Sequence, residues 1–557
     1  MPKRKADSPE YQPEKKAKTD HPSTGHITGT THSVRKLGAS ATSRLTTKAL
    51  KVFVANILNQ LPKTDDEKNK RTLREIRALP EHLHDELWTQ MSNSWPKLLT
   101  HGLIVEKIFL RGSTIRFPGT LPDIQARTIR ALSRLGDRLR WLEVTGHDIP
   151  DQVFATTLSS LPLLEHLNLR HCRKVGSFTC RAIHRTHNLL TYLNLGETNA
   201  SFADIKPILR KLGSLQVLKV SSMEGLTDSE VSRLVEDFFS SQAINQPGAT
   251  IPLSNLRSLK IRHTPLTGVS IASLLPHLPM LQTLDASFVP IVSIPTVTVH
   301  PVPKLTKLSL ASTPVDAKQL LPVLELLPTL KILNLGALGA SAKTATGLTI
   351  AGKQSTSAMG SRTLSNATLL ALTDILESFR DLQSVSLAGN SNLRTRPDRA
   401  VSYFIRRVGR RLKVLNLSGI PHLRSEDLEG LRPDDDDDSS ASCTLERLLL
   451  MGTSIDDGAA AYISACSNLQ FLDLEATKVS ENGVLDIIDA CSLLEAINLS
   501  SCRGVSVQNR RKIFELWKKE RNPNDTNDAE ETMHEGKKGS KRSPEAIFAG
   551  HWVKEGI

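Results

Sequence analysis

Leucine sets the pattern of this chain. The phrase L-x-x-L-x-L begins at Leu139, Leu164, Leu190, Leu215, Leu256, Leu281, Leu305, Leu330, Leu382, Leu412, Leu445, Leu469 and Leu494. A looser copy starts at Val105, with Ile108 and Leu110, which makes about fourteen units. Most are 24–26 residues apart, and the spacings of 34, 41, 52, 30 and 33 mark insertions or a lost unit. Self-similarity at a fixed period of this size is the mark of stacked repeats.

The unit at 305–329 shows the physics. Leu308 and Leu310 alternate with Lys307, Ser309 and Ala311, the period of a short strand with one buried face. Asp316 and Gln319 resemble a capping box, and Leu320, Leu321, Leu324 and Leu327 follow at helical spacing. Pro322 lies inside that stretch and predicts an irregular helix. A lone strand and helix cannot bury such a leucine set, whereas stacked neighbours can.

This pattern resembles leucine-rich repeats of the ribonuclease-inhibitor-like, cysteine-containing type. The consensus L-x-x-L-x-L-x-x-C is matched at 164–172 and 494–502, while Thr198, Thr264, Thr313, Thr453 and Thr477 hold the ninth position elsewhere. Cys466 and Cys491 each stand three residues before a repeat's first leucine, another habit of that type. The resemblance covers residues 103–517 and implies an α/β solenoid, curved, with a parallel sheet on the concave face and helices outside. Four of the six cysteines thus fall at repeat positions, where a small buried side chain fits the turn, and a structural role is expected for them.

The flanks read differently. Residues 1–45 are polar, with little to bury, and are expected to be disordered. Within them Lys3-Arg4, a ten-residue spacer and Lys15, Lys16 and Lys18 resemble a bipartite nuclear localisation signal, which implies import by an importin and residence in the nucleus. Loops are expected near 240–252, 337–363 and 433–443. The second is rich in Ala, Gly, Ser and Thr and reads as an excursion or a decayed repeat, and the third carries five aspartates, Asp434 to Asp438, as a solvated loop or an acidic docking patch. Residues 518–557 form a charged tail whose apolar close, Ala546-Ile547-Phe548 and Trp552-Val553, either docks on the solenoid or is a binding motif.

Residues 46–102 are helical in pattern without the repeat. Leu79, Pro80, Leu83, Leu87, Trp88 and Met91 reproduce the opening spacing of an F-box, a helical module that implies contact with the adaptor of a cullin-type ubiquitin ligase and a role in recruiting its substrates. The second half of an F-box, with its valine-cysteine and tryptophan segment, is absent. The competing reading is an amphipathic helix that caps the first repeat.

Composition narrows the function. Of 557 residues, 71 are Lys or Arg and 58 Asp or Glu, a formal charge of +13. Ten basic and four acidic residues in the first fifty account for +6 of it, so the excess is partly an address label and not a nucleic-acid surface. No run of about 18 apolar residues exists, so a membrane span is excluded. The charged start at Met1 has no apolar stretch behind it, so no secretory signal is expected either. The expectation is a soluble intracellular protein. No phosphate loop, HExxH or GxSxG is present, and His184 and His187 near Cys180 lack further ligands, so neither catalysis, metal nor cofactor is expected. Some leucine-rich solenoids activate GTPases with an arginine, but no arginine here is marked out for that.

What remains is binding on the concave face. Its exposed side chains are the third, fifth and seventh of each unit. In the first eight units these include Lys107, Arg111, Arg170, Lys219, Lys260, Arg262 and Lys307 against Glu143 and Asp285, a net of +5, and in the last six Arg447 against Asp473 and Glu475, a net of −1. Phe109, Trp141, Tyr192 and Phe471 are the aromatics of that face. A basic stripe over half a curved surface suits an acidic or phosphorylated peptide. Too few stacking aromatics accompany it for a nucleic-acid surface. The bland alternative is that these charges only keep the face soluble.

Overall fold

In a computed structural model of the chain, residues 34–36, 78–94, 110–121, 124–239, 252–295, 302–339, 363–432 and 443–521 are described, with single positions at 52 and 74. Lys3, Arg4, Lys15, Lys16, Lys18 and Lys107, the interiors of the three expected loops and the tail beyond residue 521 lie outside the described residues.

Each repeat contributes one short strand, and a further one, the first in the chain, comes from the segment before the repeats. In chain order these are β1 (Val34–Lys36), β2 (Thr114–Phe117), β3 (Trp141–Val144), β4 (His166–Asn168), β5 (Tyr192–Asn194), β6 (Val217–Lys219), β7 (Ser258–Lys260) and β8 (Thr283–Asp285). There follow β9 (Lys307–Ser309), β10 (Ile332–Asn334), β11 (Ser384–Ser386), β12 (Val414–Asn416), β13 (Arg447–Leu449), β14 (Phe471–Asp473) and β15 (Ala496–Asn498). Strands β2 to β15 form one parallel sheet in sequence order. The fold is a leucine-rich repeat solenoid.

Register follows the leucine phrase. The fourth-position residues stand opposite one another, as Leu142 to Leu167, Leu308 to Leu333 and Leu472 to Ile497 do, so a single apolar seam runs under the sheet. The long spacings do not interrupt it. Leu218 pairs with Leu259 across the 41-residue interval, and Leu333 with Val385 across the 52-residue one. No further strand of the sheet therefore stands between β10 and β11, and residues 340–362, on which the excursion or decayed repeat is expected, lie outside the described residues.

The first unit needs a correction. Thr114 pairs with Trp141 and Ile115 with Leu142, so the opening repeat is phrased on Gly112, Ile115 and Phe117, not on Val105, Ile108 and Leu110. Arg111 consequently stands before the strand, off the concave face. Its Nη2 donates to the Leu79 carbonyl at 2.7 Å.

The eighth position of the repeats shows a regularity that the sequence pattern hides. From Gly146, His171 and Glu197 through Ser312 and Gly389 to Ser501, it adopts a left-handed backbone with φ between 48° and 73°. This turns the chain out of the sheet. Only four of these thirteen residues are glycine, so the other nine hold a conformation that L side chains rarely take, and packing of the repeats must impose it.

The ninth position then satisfies backbone carbonyls, which explains its small polar residues. Thr264, Thr313, Thr453 and Thr477 each donate from Oγ1, at 2.7 Å, to the carbonyl three residues back. Cys172 and Cys502 donate instead to Val144 and Leu474 of the preceding repeat, at 3.1 and 2.9 Å. Asn390 does both, reaching Leu387 at 2.8 Å and Leu335 at 3.0 Å. All six cysteines are buried and none is in a disulfide.

In the unit at 305–329 the helix Ala317–Glu325 runs through Pro322 without a break. Asp316 caps it by accepting from Lys318 N at 3.0 Å. The reciprocal Gln319 half of the expected box is not formed.

Both ends of the sheet are covered by residues from the chain's first hundred. The helix Glu81–Ser94 packs on the first repeat, burying Leu87 and Met91. Trp88 sets its ring edge-on to Phe117 at 5.9 Å and donates Nε1 to the Arg116 carbonyl at 2.9 Å. At the far end β1 pairs antiparallel with β15, Val34 opposite Asn498 and Lys36 opposite Ala496. Disorder is the sequence expectation for residues 34–36, yet they form a strand, because a bare sheet edge offers unpaired backbone groups that an extended segment satisfies. The helix Val507–Arg521 closes the last repeat with Ile513, Phe514 and Trp517 and runs past the expected boundary at 517.

Candidate binding site on the concave face

Strand order converts sequence positions into rows. Trp141, His166 and Tyr192, the third residues of three successive repeats, stand side by side on β3, β4 and β5. Their rings stack: Trp141 on His166 with centroids 3.5 Å apart and planes 6° apart, and His166 on Tyr192 at 3.8 Å and 18°. Arg116 lies over the outer Trp141 face at 5.4 Å, and Lys219 Nζ sits at the hydroxyl end of Tyr192, 4.7 Å from the ring centroid. The five side chains form one continuous ladder.

Polar atoms of the ladder are already engaged. Trp141 Nε1 donates to Glu143 Oε1 at 2.9 Å, and His166 Nε2 lies 3.2 Å from the same oxygen. Burial works against the Glu143 charge, but the contacts from His166 and Trp141 outweigh it and hold the carboxyl below its usual range. Burial likewise pushes the His166 imidazole down, with Glu143 only partly opposing. The pair is thus a carboxylate beside a neutral imidazole at pH 7. Lys219 Nζ donates to Tyr192 Oη at 2.5 Å.

Next along the sheet lies a basic patch. Lys219 stands opposite Lys260, and Lys260 opposite Asp285, while Lys307 follows on β9. Burial lowers the pKa of all three lysines, and their mutual repulsion adds to it: Arg170 on Lys219, Lys219 on Lys260, and Lys260 on Lys307. Arg262 lies over the Phe288 ring at 5.5 Å, with Nε 3.9 Å from Asp285 Oδ1. That carboxylate is buried and accepts from Ser287 Oγ at 2.8 Å and Ser287 N at 3.2 Å. Among the described residues of the patch it is the single acidic group beside four cations.

Arg170 is placed at the rim, where its Nη2 meets Glu197 Oε1 at 3.0 Å. His171 Nδ1 takes the other Glu197 oxygen at 2.6 Å. Glu197 reaches them because it occupies the left-handed eighth position, outside the strict alternation. The expected unbroken stripe of Arg170, Lys219, Lys260 and Arg262 is therefore a patch of Lys219, Lys260, Arg262 and Lys307 with Arg170 paired to one side. Arg116 escapes the alternation because the Val105 phrasing starts the first repeat seven residues early, whereas His166 holds a third position on the face and goes unlisted because it is neither formally charged nor one of Phe, Trp and Tyr.

The C-terminal half of the face differs. Arg447 lies over Phe471 at 4.9 Å, beside Val414, Leu449, Asp473 and Glu475. Burial raises the Asp473 carboxyl there. Among the described residues no three His, Cys, Asp or Glu side chains are grouped to hold a metal ion, and no helix is long and apolar enough to cross a membrane.

The residues assigned to a ligase adaptor do not form one free face. Leu87 is fully buried and Trp88 is spent on Phe117 and the Arg116 carbonyl, while Leu79 packs at the edge of the core. Pro80 is exposed and Leu83 half-buried. Leu87 and Trp88 are thus turned to the first repeat, a packing that a cap requires.

No protein-family model matches the sequence, and no curated protein matches it. Among solved structures, a chain of the yeast Rad7 and Elc1 complex is similar at 16% identity, with 83% of this chain and 95% of that one covered and a TM-score of 0.45. An internalin, InlF, from Listeria monocytogenes is similar at 15% identity, covering 68% and 91%, with a TM-score of 0.37. A leucine-rich repeat protein of Leptospira interrogans is similar at 17% identity, covering 72% and 94%, with a TM-score of 0.36.

Proposed function

We propose that this protein is a binding scaffold of the nucleus, not an enzyme, and that it holds a partner protein by an acidic or phosphorylated segment laid across the N-terminal half of its concave sheet. The observation that carries this reading is the patch of Lys219, Lys260, Arg262 and Lys307 around one buried carboxylate, Asp285. Three half-buried lysines and an arginine crowded around one carboxylate are relieved by an anion, and solubility alone does not require such crowding.

The double change Lys260→Glu with Arg262→Glu tests it. A partner captured from nuclear extract by the parent protein should bind the variant about tenfold or more weakly, since two contacts of about 1 kcal/mol become repulsions. Binding should also fall with salt. The melting midpoint should hardly move, because surface changes cost about 0.5 kcal/mol or less. A partner indifferent to both the charge reversal and salt would retire the reading.

Nuclear residence is supported by Lys3, Arg4, Lys15, Lys16 and Lys18 and their bipartite spacing, which importin-type receptors read. Alanine at Lys15, Lys16 and Lys18 should move a fluorescent fusion into the cytoplasm, and unchanged accumulation in nuclei would remove those lysines from the signal. The narrower role of substrate recruiter for a cullin-type ubiquitin ligase is supported by the spacing from Leu79 to Trp88 alone, since of that set only Pro80 is exposed.

A further inference from the structure

We infer that the concave site reads a two-part mark: a phosphorylated side chain seated among Lys219, Lys260, Arg262 and Lys307, and an aromatic side chain laid on the Trp141–His166–Tyr192 ladder about four residues away along the same extended segment. The inference rests on the concave-face reading above and narrows it to a chemistry and a spacing.

The ladder and the patch are neighbours in one sheet. The ladder is centred on β4 and the patch on β7, three strand steps apart. At about 4.8 Å per step that is roughly 14 Å, the reach of about four residues of extended chain at about 3.3 Å each. Every strand between them is paired on both sides, so the sheet offers a crossing segment no backbone hydrogen bonds. Recognition there must come from side chains.

The patch favours phosphate over carboxylate. Four cations face one carboxylate, and Asp285 already accepts from Ser287 and lies near Arg262. Lys260 makes no hydrogen bond or ion pair among the described residues, and Arg262 Nε is buried without a hydrogen-bond partner. Against the net +3 of four cations and Asp285, a carboxylate leaves about +2 and a phosphate near −2 about +1. A phosphate near −2, with three acceptor oxygens, can engage donors on several strands at once.

The ladder favours an aromatic ring. Its inner faces are consumed by stacking, Arg116 lies over the outer Trp141 face, and Lys219 holds the hydroxyl end of Tyr192. The indole N–H is held by Glu143 and the phenol oxygen by Lys219. What the ladder presents to the concave side is therefore the half-buried edges of Trp141 and Tyr192, with His166 buried between them, and such edges carry the positive end of the quadrupole. A partner ring lying flat on them meets those edges with its negative face, the edge-to-face arrangement that aromatic pairs prefer.

An oriented peptide library on immobilised full-length protein tests the inference. Three pools are compared, with phosphoserine, serine or aspartate fixed at the centre and all other positions degenerate. The expected result is retention of the phosphoserine pool at least about tenfold above the other two, with Phe, Tyr or Trp enriched four positions to one side. Both effects should vanish on the Lys260→Glu/Arg262→Glu protein, its folding checked by circular dichroism. Equal retention of the aspartate and phosphoserine pools, lost on the double variant, would overturn the two-part mark and leave the acidic-segment reading standing. So would phosphate selection with no aromatic preference at that spacing. Phosphate selection that persists on the double variant, or retention of no pool, would overturn both.

Discussion

Leu333→Ala should lower the unfolding free energy by about 2–5 kcal/mol, read as a shift of the denaturant midpoint. The side chain is fully buried and lies in register between Leu308 and Val385, so its loss opens a cavity between three repeats that strand pairing keeps from collapsing. Leu308→Ala, one strand earlier in the same seam, should cost a similar amount. Lys307→Ala, on the opposite side of the same strand, should cost under about 0.5 kcal/mol. Comparable losses at all three would mean that the assignment of inward and outward positions is wrong.

Acid should destabilise the solenoid through His187. Its ring is fully buried, and burial pushes its pKa down to about 4, against a small opposing contribution from the Leu158 backbone. The unfolded imidazole titrates near 6.5, so between about pH 6.5 and 4 the unfolded chain takes up a proton that the native one refuses. Stability from this group is complete above about pH 6.5 and falls as the pH drops towards 4, by about 3 kcal/mol in all. Burial also lowers His147, His166, His263 and His277, which act in the same direction. The decisive measurement is therefore the difference in pH slope between the parent and His187→Leu. The variant's slope should be shallower across that window whatever its stability at neutral pH, and parallel slopes would exclude His187 as a source.

The leucine phrase made the sheet legible because inward positions recur with period two inside a period near 25, and nothing else in the chain competes with that pattern. Lys219, Lys260, Arg262 and Lys307 could be read from the same alternation. The opening repeat could not, since Gly112 and Phe117 stand where leucines mark the others. Glu197 and Phe288 escaped for a different reason: the left-handed turn at the eighth position redirects them to the rim, where Glu197 ties down Arg170 and Phe288 lies under Arg262. His166 became intelligible only when strand order set it between Trp141 and Tyr192. Local pattern shows which side chains face outward, whereas their partners come from repeats about 25 residues away.

The pairing of β1 with β15 has a bearing on synthesis. Lys36 and Ala496 are 460 residues apart, so at about 5–20 residues per second the first strand emerges roughly 20–90 seconds before its partner exists. Throughout that interval the growing array ends in whichever strand was completed last, with its backbone donors and acceptors open, and the displaced N-terminal segment is a ready match for such an edge on a neighbouring nascent chain. Crowded polysomes should therefore favour exchange between copies, and dilution of translating ribosomes should favour closure within one.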